Sequence, residues 1–94
     1  MITKNISFKA IIRKILDNAL LVEHIPFNLD SELYLQNFKI LFVLYSNYNI
    51  LDILGDKICF SDLKNNDLIL ITHRGMIIEF NPPEITDVVS IIRF

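Results

Sequence analysis

Ile6-Ser-Phe-Lys-Ala-Ile-Ile-Arg-Lys-Ile-Leu16, then Asp17-Asn18, then Ala19-Leu-Leu-Val-Glu-His-Ile25, is the stretch from which the fold is read. Successive side chains of an extended backbone point to opposite faces, so Phe8, Ala10 and Ile12 share one face and Lys9, Ile11 and Arg13 the other. The alternation slips around Lys14 and Ile15, which predicts a bulge or a sharp bend. Asp17-Asn18 is a two-residue turn signal between apolar runs, and it sends Ala19 to Ile25 back as the second strand of a hairpin. Pro26 ends that strand.

Downstream the pattern stays strand-like. Asn28 to Asn37 is either a short helix capped by Asp30 or Ser31 or a long loop. Phe38 to Ser46 is the strongest strand, with Phe38, Ile40, Phe42 and Leu44 on one face and Leu41, Val43 and Tyr45 on the other; both faces are apolar, which implies burial on both sides. Ile50 to Ile53 runs into a turn at Leu54-Gly55-Asp56 and returns through Ile58-Cys59-Phe60. Ser61-Asp62-Leu63-Lys64 predicts a single helical turn capped by Ser61 or Asp62. Leu68 to His73 is a strand, Arg74-Gly75 a tight turn, and Met76 to Phe80 its returning partner. Pro82-Pro83 forbids regular pairing, and Thr86 to Phe94 closes the chain as a strand.

Composition agrees. The 94 residues are 52% hydrophobic and 21% charged, with a net charge of −2. That excludes a disordered tail and a strongly basic nucleic-acid binder of the histone or ribosomal-arm kind. Seventeen Ile against two Ala and two Gly favour strands over helices, and nine Asn suit the turns. The longest apolar run, Ile40 to Tyr45, falls far short of the roughly 20 residues of a bilayer helix. Short strands set off by turns, with one capped turn after the long third strand, predict a mainly β fold: residues 1–94 as a single OB-like barrel of five to six strands. Cys59 stands alone, excludes an internal disulfide and a cysteine-based zinc site, and reads as a small buried hydrophobe. With no secretory stretch at Met1 to Lys9, the cytoplasm is the expected compartment.

The run Ile50-Leu-Asp-Ile-Leu-Gly-Asp-Lys-Ile-Cys-Phe-Ser-Asp-Leu-Lys-Asn-Asn-Asp-Leu-Ile-Leu-Ile71 is similar to the centre of small OB-like bacterial domains. There an aspartate-to-glycine turn, an isoleucine-rich strand, a Ser-Asp-Leu-Lys turn and a Gly-Asp-Lys-Val strand start follow one another. Gly75-Met-Ile-Ile-Glu79-Phe-Asn-Pro82 resembles their glycine, apolar, glutamate and proline ending. The resemblance is to the YobA-like family of Gram-positive proteins. It covers about two thirds of the chain, implies a fold, and brings no activity, cofactor or catalytic residue with it. Asn66 stands where that family usually carries glycine, so it is expected to take a positive φ. The family is commonly exported or lipid-anchored, and that compartment does not transfer.

No constellation of catalytic residues emerges. His24 and His73 fall at strand ends, where solvated or capping roles are expected, and no spacing is a metal signature. Ser61 or Ser90 with His73 and Asp67 lacks a nucleophile elbow, and Ser90 reads as a small packing residue. Asp52, Asp56, Asp62 and Asp67 are explained by turn chemistry. Two glycines cannot build a phosphate-cradling loop. The expectation is therefore a protein that is not an enzyme and needs no cofactor.

What remains is the outward set on the first and third strands. Ile11, Leu41, Val43 and Tyr45 form a candidate protein interface, either with a partner or with a second copy as a homodimer. Lys9, Arg13, Lys39 and Tyr45 form the alternative, a track for single-stranded nucleic acid. The negative net charge and the apolar character of the patch favour protein contact.

Overall fold

In the computed structural model, residues 5–25, 40–46 and 48–94 are described. The hairpin forms as read. β1 (Ile6–Ile15) pairs antiparallel with β2 (Ala19–Ile25), and the register shifts between Ile12 and Lys14. The bulge turns both Arg13 and Lys14 to solvent. Leu16 N–H closes the turn on Ala19 O at 2.8 Å, and Asn18 O accepts from Tyr45 N at 2.7 Å, tying the turn to the third strand.

Six more strands follow: β3 (Ile40–Leu44), β4 (Asn49–Asp52), β5 (Leu68–His73), β6 (Ile77–Ile78), β7 (Glu84–Ile85) and β8 (Val88–Arg93). All eight lie in one sheet in the order β4-β8-β5-β1-β2-β3-β7-β6. The β3–β7 and β4–β8 pairs are parallel and the rest antiparallel. The five- to six-stranded OB-like barrel expected from the sequence is thus replaced by an eight-stranded open sheet with β4 and β6 at its edges. The sheet nevertheless curls round one core, because Ile50 near one edge and Ile85 near the other belong to the same buried cluster as Phe8, Ile12, Leu20, Ile69, Ile71 and Ile91. Each such enclosed aliphatic or aromatic side chain contributes about 1.5–3 kcal/mol relative to exposure.

Two other expectations are corrected. Met76 to Phe80 does not return along β5. Both sides of β5 are already taken by β1 and β8, so after Gly75 (φ 99°) the chain leaves and β6 pairs with β7. The third strand alternates as expected but with the opposite phase: Leu41 and Val43 are fully enclosed, and Ile40, Phe42 and Leu44 face outward. The register explains this. Val43 lies opposite Leu20, and Leu41 opposite Val22, and both partners belong to the inner face. A strand apolar on both sides carries no local signal of which side is inner.

The turn after β4 is a single 3-10 turn at Phe60–Asp62. Asp62 Oδ2 accepts from Cys59 N at 2.8 Å, and Asp67 Oδ2 accepts from Lys64 N at 2.9 Å in the turn that follows. Asn66 between them has φ 74°, the positive value expected of it. The segment Asn28 to Asn37, Pro26 and Lys39 lie outside the described residues.

Candidate functional site

Side chains on the outer face of the sheet fall into rows set by the strand register. One row runs Leu51, Ile92, Leu70, Lys9, Ile25 across β4, β8, β5, β1 and β2. The next holds Phe94, Leu68, Ile11 and Glu23, with Phe94 N–H donating to Leu68 O at 2.9 Å. Asn49, Ser90, Thr72 and Ser7 make a third row that is wholly polar, in which the Ser7 and Thr72 hydroxyls lie 2.8 Å apart. The outside of the sheet is therefore divided into an apolar belt and a polar strip. The belt arises because Leu68-Ile-Leu-Ile71 and Ile91-Ile92 are apolar on both faces: Ile69, Ile71 and Ile91 fill the core, so Leu68, Leu70 and Ile92 must face out.

Charged groups frame this belt. Lys9 Nζ sits 5.2 Å from the centre of the Phe94 ring, a cation–π arrangement on the outer surface. Arg13 meets Glu23 at 2.8–2.9 Å and reaches Asn66 Oδ1 at 3.4 Å. Phe94 remains 45% exposed.

The residues expected to act together separate in the structure. Ile11 does lie in the outer belt. Leu41 and Val43 do not, since both are core residues with no exposure. Tyr45 follows β3 and turns into an aromatic group, its ring centre 5.1 Å from that of Tyr48 and 4.7 Å from that of Phe60. The alternative cationic track loses its continuity as well: Arg13 is held by Glu23, Lys9 lies on Phe94, Tyr45 is elsewhere, and Lys39 is outside the described residues. Leu51, Leu68, Leu70, Ile92 and Phe94 complete the belt, and the two-sided apolar runs were the signal for three of them.

Both histidines are buried, not solvated at strand ends: they flank Phe8 edge-on, with ring centres 5.4 Å (His24) and 5.6 Å (His73) away. His73 Nδ1 accepts from Gly75 N–H at 3.1 Å, and the nearby carboxylate is Asp87, 3.7 Å from Nδ1, not Asp67. An Nδ1 that accepts this bond is unprotonated, and burial lowers the His73 pKa while Asp87 partly offsets it. Ser90 stands in the outer polar strip, away from that ring. Cys59, expected in the core, is exposed; its neighbours Ile58 and Phe60 pack against the core instead. Among the described residues, no three His, Cys, Asp or Glu side chains converge as metal ligands. Among them too, no helix is long and apolar enough to cross a membrane.

A cleft of about 350 Å³ opens beside the aromatic group, lined by Tyr45, Tyr48, Ile50, Lys57, Ile58, Cys59 and Phe60. The Tyr48 hydroxyl is enclosed and meets no hydrogen-bonding partner among the described residues; burial pushes its pKa far above the ordinary phenol range, so it is a neutral donor.

No protein-family model matches the chain, and no curated protein matches it significantly. Among solved structures it is similar to the YobA protein of Bacillus subtilis subsp. subtilis str. 168, with a TM-score of 0.64 and 19% sequence identity, over 100% of this chain and 99% of that one. The likeness read from Ile50 to Pro82 therefore extends to the whole length, and this chain has the fold of YobA.

Proposed function

We propose that this chain is a non-enzymatic interaction module whose outer sheet face docks a protein, with a second copy of the chain as the favoured occupant. One observation carries the reading: an apolar belt crosses four hydrogen-bonded strands, with Leu51, Ile92, Leu70, Leu68 and Ile11 in adjacent register and Phe94 45% exposed beside them. Contiguous apolar surface of this kind marks an interface more often than a free surface. A second copy suits it because a two-fold contact needs a self-complementary patch, and this belt is apolar with charges of both signs, Lys9 and Arg13 against Glu23, at its border. The cytoplasm is the compartment we propose with it, since the single exposed thiol of Cys59 suits a reducing environment.

Sedimentation velocity of wild type and Leu70→Glu tests this. A wild-type dimer, with a folded monomer for the variant, supports the reading. A wild type that stays monomeric at every concentration overturns the choice of a second copy. Co-sedimentation of a fluorescent thymidine oligonucleotide at low salt, lost steeply as salt rises, replaces the protein partner with nucleic acid.

A further inference from the structure

We propose that the cleft beside Tyr45, Tyr48 and Phe60 is a binding site for a small planar aromatic anion. Its size comes first: about 350 Å³ falls at the lower end of pockets that take small organic ligands. Its walls come second. The Tyr45 ring stands at 76° to Tyr48 and 40° to Phe60, so the three rings form a corner against which a flat ring system stacks or meets edges. Ile50 supplies an apolar surface from the core side. Charge comes third: among the described residues, Lys57 is the one charged side chain lining the cleft and no carboxylate lines it, which favours an anion over a cation.

The site is separate from the outer belt. Ile50 points inward from β4 where Leu51 points outward, so ligand binding and face-to-face docking use opposite sides of that strand. The proposal does not rest on the interaction reading, and Leu70→Glu should leave it intact.

The test uses the full chain, 2-naphthoate as probe and the uncharged alcohol 2-naphthylmethanol as its control. Calorimetry should show saturable naphthoate binding with a Kd of about 0.1–1 mM, the range expected for a ligand of this size. The alcohol should bind about fivefold more weakly, the worth of one partly screened charge pair. Lys57→Gln should erase that difference, and Tyr45→Leu should weaken both probes about fivefold through the lost ring contact. Cys59 lines the cleft and is the only thiol, so its alkylation by N-ethylmaleimide should slow in proportion to occupancy. Absence of saturable binding, equal affinity for the acid and the alcohol in wild type, or binding that leaves Cys59 alkylation unchanged would each overturn the proposal.

Discussion

Acidification from pH 7.5 to 5.5 should destabilise this protein through His73. The ring is fully enclosed, its edge meets Phe8, and Nδ1 is occupied by the 3.1 Å bond from Gly75 N–H. That bond needs the Nδ1 lone pair, so the site holds the neutral imidazole with its hydrogen on Nε2. Burial lowers the folded-state pKa, and Asp87 offsets only part of the effect. In the unfolded chain the imidazole titrates near its ordinary value of about 6.5. Between the two pKa values the unfolded chain holds a proton that the folded chain does not. Stability is therefore fully present above the unfolded pKa and is lost as pH falls towards the folded one, with a slope of at most about 1.4 kcal/mol per pH unit. Over the unit below pH 6.5 this comes to at most about 1 kcal/mol, which lowers Tm by up to about 4–8 °C in a domain of this size.

His73→Asn removes the titrating ring while offering Gly75 an alternative acceptor. Its absolute stability falls because the smaller side chain leaves space beside Phe8, but its pH profile should lose the His73 component. Urea unfolding followed by circular dichroism at half-unit steps of pH measures both proteins. A wild-type profile that is flat from 7.5 to 5.5, or one whose slope survives unchanged in His73→Asn, refutes the assignment.

Other consequences are local. Asn66→Gly should change stability by less than about 0.5 kcal/mol, whereas Asn66→Ala should cost about 1–2 kcal/mol, because φ 74° is left-handed backbone; thermal melts separate the two. Asp52→Ala should cost about 1–2 kcal/mol, since Asp52 Oδ1 accepts from Leu54 N at 2.9 Å and Asp56 N at 3.0 Å, and hydrogen exchange of those two amides should accelerate. Tyr48→Phe should stabilise the fold by about 1 kcal/mol in urea unfolding, because it removes an enclosed hydroxyl that meets no described partner.

How far the sequence reaches depends on whether a signal is local. The turn at Asp17-Asn18, the slip near Lys14 and the turn chemistry of Asp62 and Asp67 all depend on a few neighbouring residues, and each could be read directly, whereas the positive φ of Asn66 was implied by the family resemblance. The two faces of β1 were legible because one carries Lys9 and Arg13 and the other does not. In β3 both faces are apolar, so Leu41 and Val43 look the same as Ile40 and Phe42 until β2 is laid alongside. The outer belt was half legible for the same reason. Leu68 to Ile71 and Ile91-Ile92 announce two buried sides, but only pairing in register shows that Leu70 adjoins Ile92 and Ile92 adjoins Leu51.

The sequence by itself determined that this is a β protein with a hairpin at its start, a capped turn in its middle and too little positive charge for a strongly basic nucleic-acid binder, since periodicity, turn chemistry and composition act within the chain. Only the tertiary structure decided that eight strands form an open curled sheet, that β8 lies between β4 and β5, that His24 and His73 enclose Phe8, and that Tyr45, Tyr48 and Phe60 meet at one cleft. Those outcomes depend on which strand edges find each other across long loops, and hydrogen-bonding edges are chemically alike in every strand; the choice among them is made by the packing of the shared core.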